Sequence, residues 1–506
     1  MKLLTKEQAQ ELDNIAINKI GIGGLYLMGK AGVAVAKHAR KIIADIDNPQ
    51  IAIICGKGNN AGDGYKAAYE LKKNGLNPEV FIIQDKDKIS GDALIFYKQC
   101  IDINIPMNHS LKPPTKKYDL IIDALFGIGF HGKLRTPFVT FTKWINNQNS
   151  FIVAVDIPSG IDANSGQIAE NAVKANLTVT FHMIKVGMML EPGKSHCGKI
   201  VTEDIGFPNI YVKLSGLKFR TATEKMCYKY LGQPAVDMHK YKQGRILIIA
   251  GSRGMTGAAI LAANAAIKSG AGLVALVVPK SLNNIYETKI VEGLTFNCED
   301  DGDGHLKYEN YSEIIEHCNW ADVILIGPGL GKRPTTTKLI KEIISNSSKP
   351  LVIDADGLNC FPKNLNLFKQ IKNDFVITPH HGEFARLIGC ENHNIKNNVI
   401  KHLTKFMTKF SGTLVLKNAP TITAYENVAV VNTSGNQGLA TGGTGDVLAG
   451  IITSFIAQGI APKIAAELGV FIHGKAAEYM TGQNGFRGTT ATDIILGIGP
   501  VLKKYE

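Results

Sequence analysis

The residues best suited to chemistry lie near the C-terminus, in Asn432-Thr433-Ser434-Gly435-Asn436 and in the stretch from Ala440 to Gly450 that carries Gly442-Gly443-Thr444-Gly445-Asp446. Glycines at 442, 443 and 445 let the backbone turn without Cβ clashes. The apolar Val447-Leu448-Ala449 run then reads as a helix whose N-terminal amides face the loop, where an anion such as phosphate settles. Asp446 on that first turn is favourable as a cap. It also sits where a hydroxyl attacking a phosphate would arrive, so it could serve as a general base. The plainer reading is a glycine-rich turn capped by Asp, and a lone Gly-Thr-Gly-Asp does not choose between the two.

A second glycine-rich turn lies near the N-terminus, where Ile51 to Cys55 is followed by Gly56-Lys57-Gly58-Asn59-Asn60-Ala61-Gly62-Asp63-Gly64 and then by a helical segment, Tyr65 to Lys73. Strand, phosphate-binding turn and helix in that order suit an anion at the helix N-terminus. Later strand-like runs also end in glycine or polar residues: Asp123-Ala124-Leu125-Phe126-Gly127-Ile128-Gly129 after one, Asp156-Ile157-Pro158-Ser159-Gly160 after another. Asn60, Asp123 and Ser159 could converge there as the oxygen set for a hard cation held by few charges, leaving Asp156 for a substrate. Taken singly, each is as readily a helix cap or a strand-end turn; repetition at three strand ends favours a site.

These residues need elements to position them, and the apolar runs supply two series. Ile51 to Cys55, Val80 to Ile83, Leu120 to Ile122, Phe151 to Val155 and Leu177 to Phe181 alternate with helical segments, the rhythm of βαβ units in a mostly parallel sheet. The pattern fades after Phe207, and residues 209 to 240 turn polar and irregular. A second series runs through Ile246 to Ala250, Leu273 to Val278, Val323 to Ile326, Leu351 to Ile353, Phe375 to Ile377 and Leu414 to Leu416. Two different α/β domains, about 1–215 and 225–506, are expected within the 506 residues, with no short repeat of the kind that builds solenoids.

Formal net charge is +12, but lysine dominates and arginine occurs only at 40, 135, 220, 245, 253, 333, 386 and 487. Few residues can read bases bidentately, so a solvated lysine-rich surface is favoured over a nucleic-acid stripe. The diffuse positive field still favours encounter with polyanions such as dinucleotides. The eight cysteines never fall into CxxC spacing and read as reduced, buried thiols of a cytoplasmic protein. No apolar run approaches 18 residues and no export signal is evident, so neither a membrane span nor secretion is expected.

GKGNNAGDG, DALFGIG and DIPSG, with the preceding segment from Leu12-Asp13 through Gly24-Leu25-Tyr26-Leu27-Met28 to Ala31-Gly32, resemble the NAD(P)H-hydrate epimerase domain, a Rossmann-like fold. The resemblance implies that Asn59, Asn60, Ala61, Gly62 and Asp63, together with Gly127, Ile128, Gly129, Phe130, His131, Gly132 and Lys133, line the hydrated dinucleotide. It implies further that Asp156 contacts it and that Asn60, Asp123 and Ser159 hold potassium. Ala61 stands where the family usually has Gly, and Phe181 to Lys185 is a looser match. Epimerisation at carbon 6 of the nicotinamide releases and regains a hydroxyl, so an acid-base pair is the minimum; Asp156 is the first candidate and Lys185 the second.

In the C-terminal half, Gly251-Ser252-Arg253-Gly254-Met255-Thr256-Gly257-Ala258-Ala259 before a helix Leu261 to Ser269, Gly327-Pro328-Gly329-Leu330-Gly331, Asp354 to Asn359, Thr378-Pro379-His380-His381-Gly382-Glu383 and Lys417 to Thr421 all follow strand-like runs. With the two glycine stretches described first, they resemble the ribokinase-like NAD(P)H-hydrate dehydratase domain. Ala258, Gly329, His380 and Asp446 are thereby implied in hydrate binding. Lys417, Asn418, Ala419, Pro420 and Thr421, with Gly443, Thr444 and Gly445, are implied in nucleotide binding, and Asn418 replaces a usual Gly. The implied reaction phosphorylates the hydroxyl so that it departs as phosphate; Asp446 takes its proton, and Mg2+ accompanies ADP or ATP. By resemblance, prokaryotic-type fused chains use ADP and eukaryotic ones ATP, so ADP is the expected donor here ahead of ATP. The expected substrates are the hydrates of NADH and NADPH, with no nucleic acid or membrane partner and a homo-oligomer by family analogy. Two rivals stand beside this reading: a vitamin-precursor kinase on the same fold, and a first domain that only binds RNA or protein.

Overall fold

A computed structural model describes residues 1–83, 86–207, 214–361 and 365–506. The chain divides into two compact units, Lys2–Phe219 and Arg220–Glu506, the latter taking in Met1.

In the N-terminal unit the helices α1 (Lys6–Ile15) and α2 (Gly24–Ile42) precede an alternating series. It runs β1 (Ile51–Cys55), α3 (Asn59–Lys73), β2 (Pro78–Ile82), α4 (Gly91–Asp102), β3 (Met107–His109), β4 (Leu120–Ala124), α5 (Phe138–Asn146), β5 (Phe151–Val155), β6 (Leu177–Phe181) and β7 (Lys199–Glu203). The strands pair in parallel in the order β3-β2-β1-β4-β5-β6-β7. That is the Rossmann order, with its reversal between β1 and β4, where such sheets open a crevice at the strands' C-terminal ends. The continuous apolar runs follow from burial on both faces. Ile51, Ile53 and Cys55 of β1 pack with Leu27, Val35 and Tyr65, whereas Ala52 and Ile54 pack with Phe141 and Ile145 of α5.

The C-terminal unit contains β8 (Arg245–Ile249), α6 (Thr256–Lys268), β9 (Leu273–Pro279), β10 (Leu294–Cys298), α7 (Tyr311–Trp320), β11 (Val323–Ile326), α8 (Pro334–Asn346), β12 (Leu351–Ile353) and β13 (Phe375–Ile377). It continues with α9 (His381–Ile388), α10 (Val399–Met407), β14 (Thr413–Leu416), β15 (Ile422–Tyr425), β16 (Val428–Val431), α11 (Thr444–Ala457), α12 (Pro462–Gly488) and α13 (Ala491–Leu502). The order is β10-β9-β8-β11-β12-β13-β14-β15-β16, parallel as far as β14 and antiparallel from there. Here too the order reverses, between β8 and β11. Helix α11 is buried almost all round, and Gly450 is what lets it approach α6: a Cβ there would come within 2.2 Å of the Ala262 carbonyl oxygen.

Two helices begin earlier than their sequence pattern suggests. The helix after β1 starts at Asn59 rather than Tyr65, and the one after β8 at Thr256 rather than Leu261. Glycine and asparagine are poor helix formers in isolation, and packing overrides that preference. The polar connector also holds structure, a strand Lys218–Thr221 and a helix Lys225–Tyr230, while residues 208–213 of it lie outside the described residues.

Candidate functional sites

The N-terminal crevice is a cavity of about 860 Å³ at the strand reversal. Gly56, Lys57, Gly58, Asn59, Asn60 and Asp63 line it from the β1 turn and the start of α3; Gly127 to His131 and Lys133 from the loop after β4; Asp156, Phe181, His182 and Lys185 from beyond β5 and β6. Of the residues expected from sequence, Ala61, Gly62 and Gly132 are not among its walls. Ala61 and Gly62 face the interior instead: Ala61 is fully buried, and a Cβ at Gly62 would meet the Met28 sulfur at 2.3 Å. Alanine in place of the family's glycine at 61 therefore fills core.

Asp156 sits directly after β5 with φ of 64°, a left-handed conformation that costs roughly 1–2 kcal/mol for a non-glycine residue. Its Oδ1 accepts from Thr180 Oγ1 at 3.0 Å, from the Phe181 amide at 3.3 Å and from Lys185 Nζ. All three fall on one oxygen and leave Oδ2 for another partner. Lys185 is 3% exposed and donates in addition to Thr180 Oγ1 at 3.0 Å and the Phe181 carbonyl at 3.4 Å. Its three protons are thus all committed, so it holds Asp156 in place rather than accepting a proton.

Asp123 and Ser159 meet behind this carboxylate. Asp123 Oδ2 accepts the Ser159 amide at 2.8 Å and Oδ1 accepts the Ser159 hydroxyl at 2.6 Å, while Ser159 Oγ accepts the Phe126 amide at 2.9 Å. Burial pushes the Asp123 carboxyl up to about 6 against the opposing pull of these hydrogen bonds. Asn60 joins through the next residue, since a Cβ at Gly127 would lie 3.2 Å from Asn60 Oδ1, and Asn60 Nδ2 is buried with no partner among the described residues. A buried carboxylate, a hydroxyl and an amide oxygen not held elsewhere fit a large monovalent cation.

Sequence reasoning gave no role to Asp13, named only within the segment resembling the epimerase domain, and did not mention Asp92; both also line the cavity. Asp13 is itself open to the cavity, but desolvation by the surrounding walls, and next the nearby Asp156, raise it to about 6, with Lys185 opposing. Asp63 is pushed well above the usual carboxylate range, first by burial and then by Asp156 and Asp13. The sequence signal for Asp13 is its place at the start of the segment that resembles the epimerase domain; its position beside Leu12 on an amphipathic helix is one that any surface residue shares.

In the C-terminal unit the loops after β8 and β11 interlock at the reversal: the Gly251 amide bonds the Pro328 carbonyl and Ser252 Oγ bonds the Gly329 carbonyl, both at 2.8 Å. Gly329 has φ of 64°, and a Cβ there would press on Met255 and on the Ala258 methyl at 3.0 Å, so Ala258 and Gly329 share one wall. Lys417 and Asp354, 63 residues apart, form a partly buried ion pair at 2.7 Å, with the carboxylate fully buried. The adjoining Ala355 carries φ of 47°, a strained turn for an alanine. His380 caps α9 by accepting the Gly382 and Glu383 amides at 2.9 and 3.3 Å, and Glu383 returns the bond to the His380 amide at 2.8 Å. Next to it His381 is buried and lowered to about 4 by that burial, and among the described residues no group of three or more His, Cys, Asp or Glu could hold a metal.

Asp446 is on the first turn of α11, but the cap itself is Gly443 at φ of 89° and no side-chain cap bond forms, so the capping role expected from sequence is not used. Burial, then repulsion from Asp354, raises Asp446 to about 7, with Lys417 opposing and Glu383 adding. Lys417 Nζ also lies 3.3 Å from where a Gly445 Cβ would be, which brings the β14 lysine to the glycine loop. Asn418 is not among the residues with positive φ, so a side chain at that position strains nothing. Sequence reasoning assigned no role to Asp354 or Glu383; both carboxylates follow strands, as do many that only cap turns.

A family model described as NAD(P)H-hydrate dehydratase matches residues 246–498, and one described as YjeF-related protein N-terminus matches residues 24–187. The bifunctional NAD(P)H-hydrate repair enzyme of Moorella thermoacetica is 35% identical, covering 100% of this chain and 97% of its own length. This chain belongs to the bifunctional NAD(P)H-hydrate repair enzyme family. The Coxiella burnetii member is 33% identical over 97% of both chains. A solved structure titled as an ADP/ATP-dependent NAD(P)H-hydrate dehydratase from Bacillus subtilis, co-crystallised with ATP and Mg2+, is 25% identical with a TM-score of 0.49, covering 56% of this chain and 98% of its own. Seven of the family member's eight cysteines are buried and none is bridged, and among the described residues no helix is long and apolar enough to cross a membrane.

Proposed function

We propose that this chain repairs hydrated NADH and NADPH in the cytoplasm in two steps: the N-terminal unit interconverts the R and S hydrates, and the C-terminal unit dehydrates the S form at the expense of ADP or ATP. One observation carries the reading. Asp446, raised to about 7, stands on the first turn of α11 beside a partly buried lysine and behind a glycine loop. That is a base next to an anion site, the minimum for transferring a phosphoryl group to a hydroxyl.

Hydroxide leaves carbon 6 poorly, and phosphate leaves well. Asp446 takes the proton of the hydrate hydroxyl as its oxygen attacks the terminal phosphorus; the amides at the N-terminus of α11 and the Lys417 ammonium stabilise charge on the phosphoryl oxygens. Ala258, Gly329 and His380 border the hydrate, while Lys417, Asn418, Ala419, Pro420 and Thr421, with Gly443, Thr444 and Gly445, border the nucleotide. Asp354 is committed to Lys417 and Glu383 to the α9 cap, so the residues present fit a divalent ion held mainly by nucleotide phosphates and water, not by a protein cage. When bound, Mg2+ neutralises charge on the transferring group.

In the N-terminal unit Asn59, Asn60, Asp63, the loop from Gly127 to Lys133 and Asp156 receive the dinucleotide. Asn60, Asp123 and Ser159 would hold K+, which supplies a fixed positive charge at the phosphate-binding turn. The domains are assigned as 1–215 and 225–506. Purified protein given a mixture of R and S hydrate with Mg2+, K+ and ADP or ATP should restore the full reduced-nicotinamide absorbance. Recovery of the S portion alone would leave the first unit a binding module, and no recovery with either nucleotide would favour a vitamin-precursor kinase.

A further inference from the structure

The epimerisation chemistry leaves a gap at the N-terminal cavity. Releasing the hydroxyl from carbon 6 needs a proton donor, and returning it needs an acceptor. Lys185 can be neither while its protons rest on Asp156, Thr180 and the Phe181 carbonyl. Asp156 offers Oδ2 alone. A second titratable group must reach the same space. Resting on the epimerase reading above, we propose that Asp13, projecting from α1 into the cavity, is the second acid-base residue of the epimerase and works as a pair with Asp156.

The placement is specific. Asp13 lines the cavity with Asp156 and Lys185 and is open to it, while its neighbours Leu12 and Ala16 are buried and anchor the helix turn that presents it. The charged groups that face it are Asp156 beyond β5, Lys185 beyond β6 and, through Asp63, the first turns of α3. With both carboxylates ionised, the two of them and one lysine leave about one negative charge at the cavity, which favours a cationic ring. Asp13 stays partly protonated up to about pH 6, where an ordinary surface aspartate has lost its proton.

The step balances without any further reactant. The nitrogen lone pair of the ring forms a C=N bond to carbon 6 as the C–O bond breaks; that bond's electron pair leaves on oxygen, which takes the Asp13 proton and departs as water. Water then adds to the opposite face of carbon 6. The new C–O bond forms from a water lone pair, the C=N pair returns to nitrogen, and the surplus proton passes to Asp156. The reverse reaction uses the two carboxyls in exchanged roles, and the exposure of Asp13 allows the proton to be reset through solvent.

The test compares wild type, Asp13→Asn and Asp13→Glu in the full chain, with purified R hydrate of NADH followed by chromatography, and dehydration of S hydrate in the same preparations as the control for folding. Asp13→Asn should lower epimerisation kcat about 10²- to 10⁴-fold with KM little changed, the usual contribution of a general acid or base. In wild type, kcat/KM should fall about tenfold per pH unit above the Asp13 value, and this limb should vanish in Asp13→Asn, with Asp13→Glu recovering part of the rate. Epimerisation within twofold of wild type across the pH range, or a rise in KM alone, would overturn the role of Asp13. Absence of epimerisation in the wild-type chain would overturn the epimerase reading itself, a result the dehydration control separates from misfolding.

Discussion

Asp446→Asn separates the two activities and tests the electrostatics of the second site. Burial and Asp354 lift this carboxyl to about 7, roughly 3 units above its ordinary value, so the ionised form is disfavoured in the fold by up to about 4 kcal/mol. Discounted for screening and for the neighbouring Lys417, about 1–2 kcal/mol remains. The sign follows from proton binding. Between pH 4 and 7 the folded state holds a proton that the unfolded state has lost, so the contribution of Asp446 is fully present below pH 4, is lost progressively as pH rises from 4 to 7, and stays at its full cost above 7. The neutral amide removes the dependence. Asp446→Asn should therefore raise the thermal midpoint of the C-terminal unit at pH 8, raise it somewhat less at pH 6 and change it little at pH 4. The same substitution should cost dehydration about 10²- to 10⁴-fold in kcat and leave epimerisation at the wild-type rate. In wild type, ionisation of Asp446 rises from about one-tenth at pH 6 to about nine-tenths at pH 8, so dehydration should climb about tenfold over that interval. Differential scanning calorimetry and single-turnover kinetics on one preparation read all of this. Full dehydration in Asp446→Asn would remove the assigned base, and a lowered midpoint at pH 8 would refute the electrostatic account even with activity lost.

Lys417→Met strands the buried Asp354 carboxylate, and chemical denaturation should show the C-terminal unit weakened by about 3–5 kcal/mol, together with loss of nucleotide binding by calorimetry. Gly443→Ala forces a methyl against Leu261 at 2.5 Å in a left-handed backbone; dehydration should fall at least tenfold while epimerisation is unaffected, and an unaltered rate would deny the loop its function. Replacing K+ by a bulky organic cation should slow epimerisation but not dehydration, and Ser159→Ala should blunt the response to added K+ in a titration of initial rate.

The two α/β series were legible because strands buried on both faces need unbroken apolar runs, and the runs at Ile51, Phe151, Leu177, Val323, Leu351 and Phe375 coincide with strands at both ends. The glycine turns were legible because a chain meeting an anion at a strand end needs them. Helix starts were less legible: Asn59 and Thr256 lie in segments whose composition resembles loop, and only packing of α3 against α2 and of α6 against α11 extends the helices into them.

What the sequence determined by itself is therefore local: which runs become strands, which turns can hold phosphate, and which carboxylates stand at strand ends. The tertiary structure decided the meetings. Lys417 finds Asp354 only because β14 and β12 end at the same edge of one sheet, and Asp13 joins Asp156 and Lys185 only because α1 borders the crevice. It also decided the proton affinities, since Asp446 and Asp123 differ from surface aspartates in how far they are buried, and Asp13 in the cavity walls and charges around it, not in type. Both quantities depend on distances between residues far apart in the chain, which no local pattern encodes.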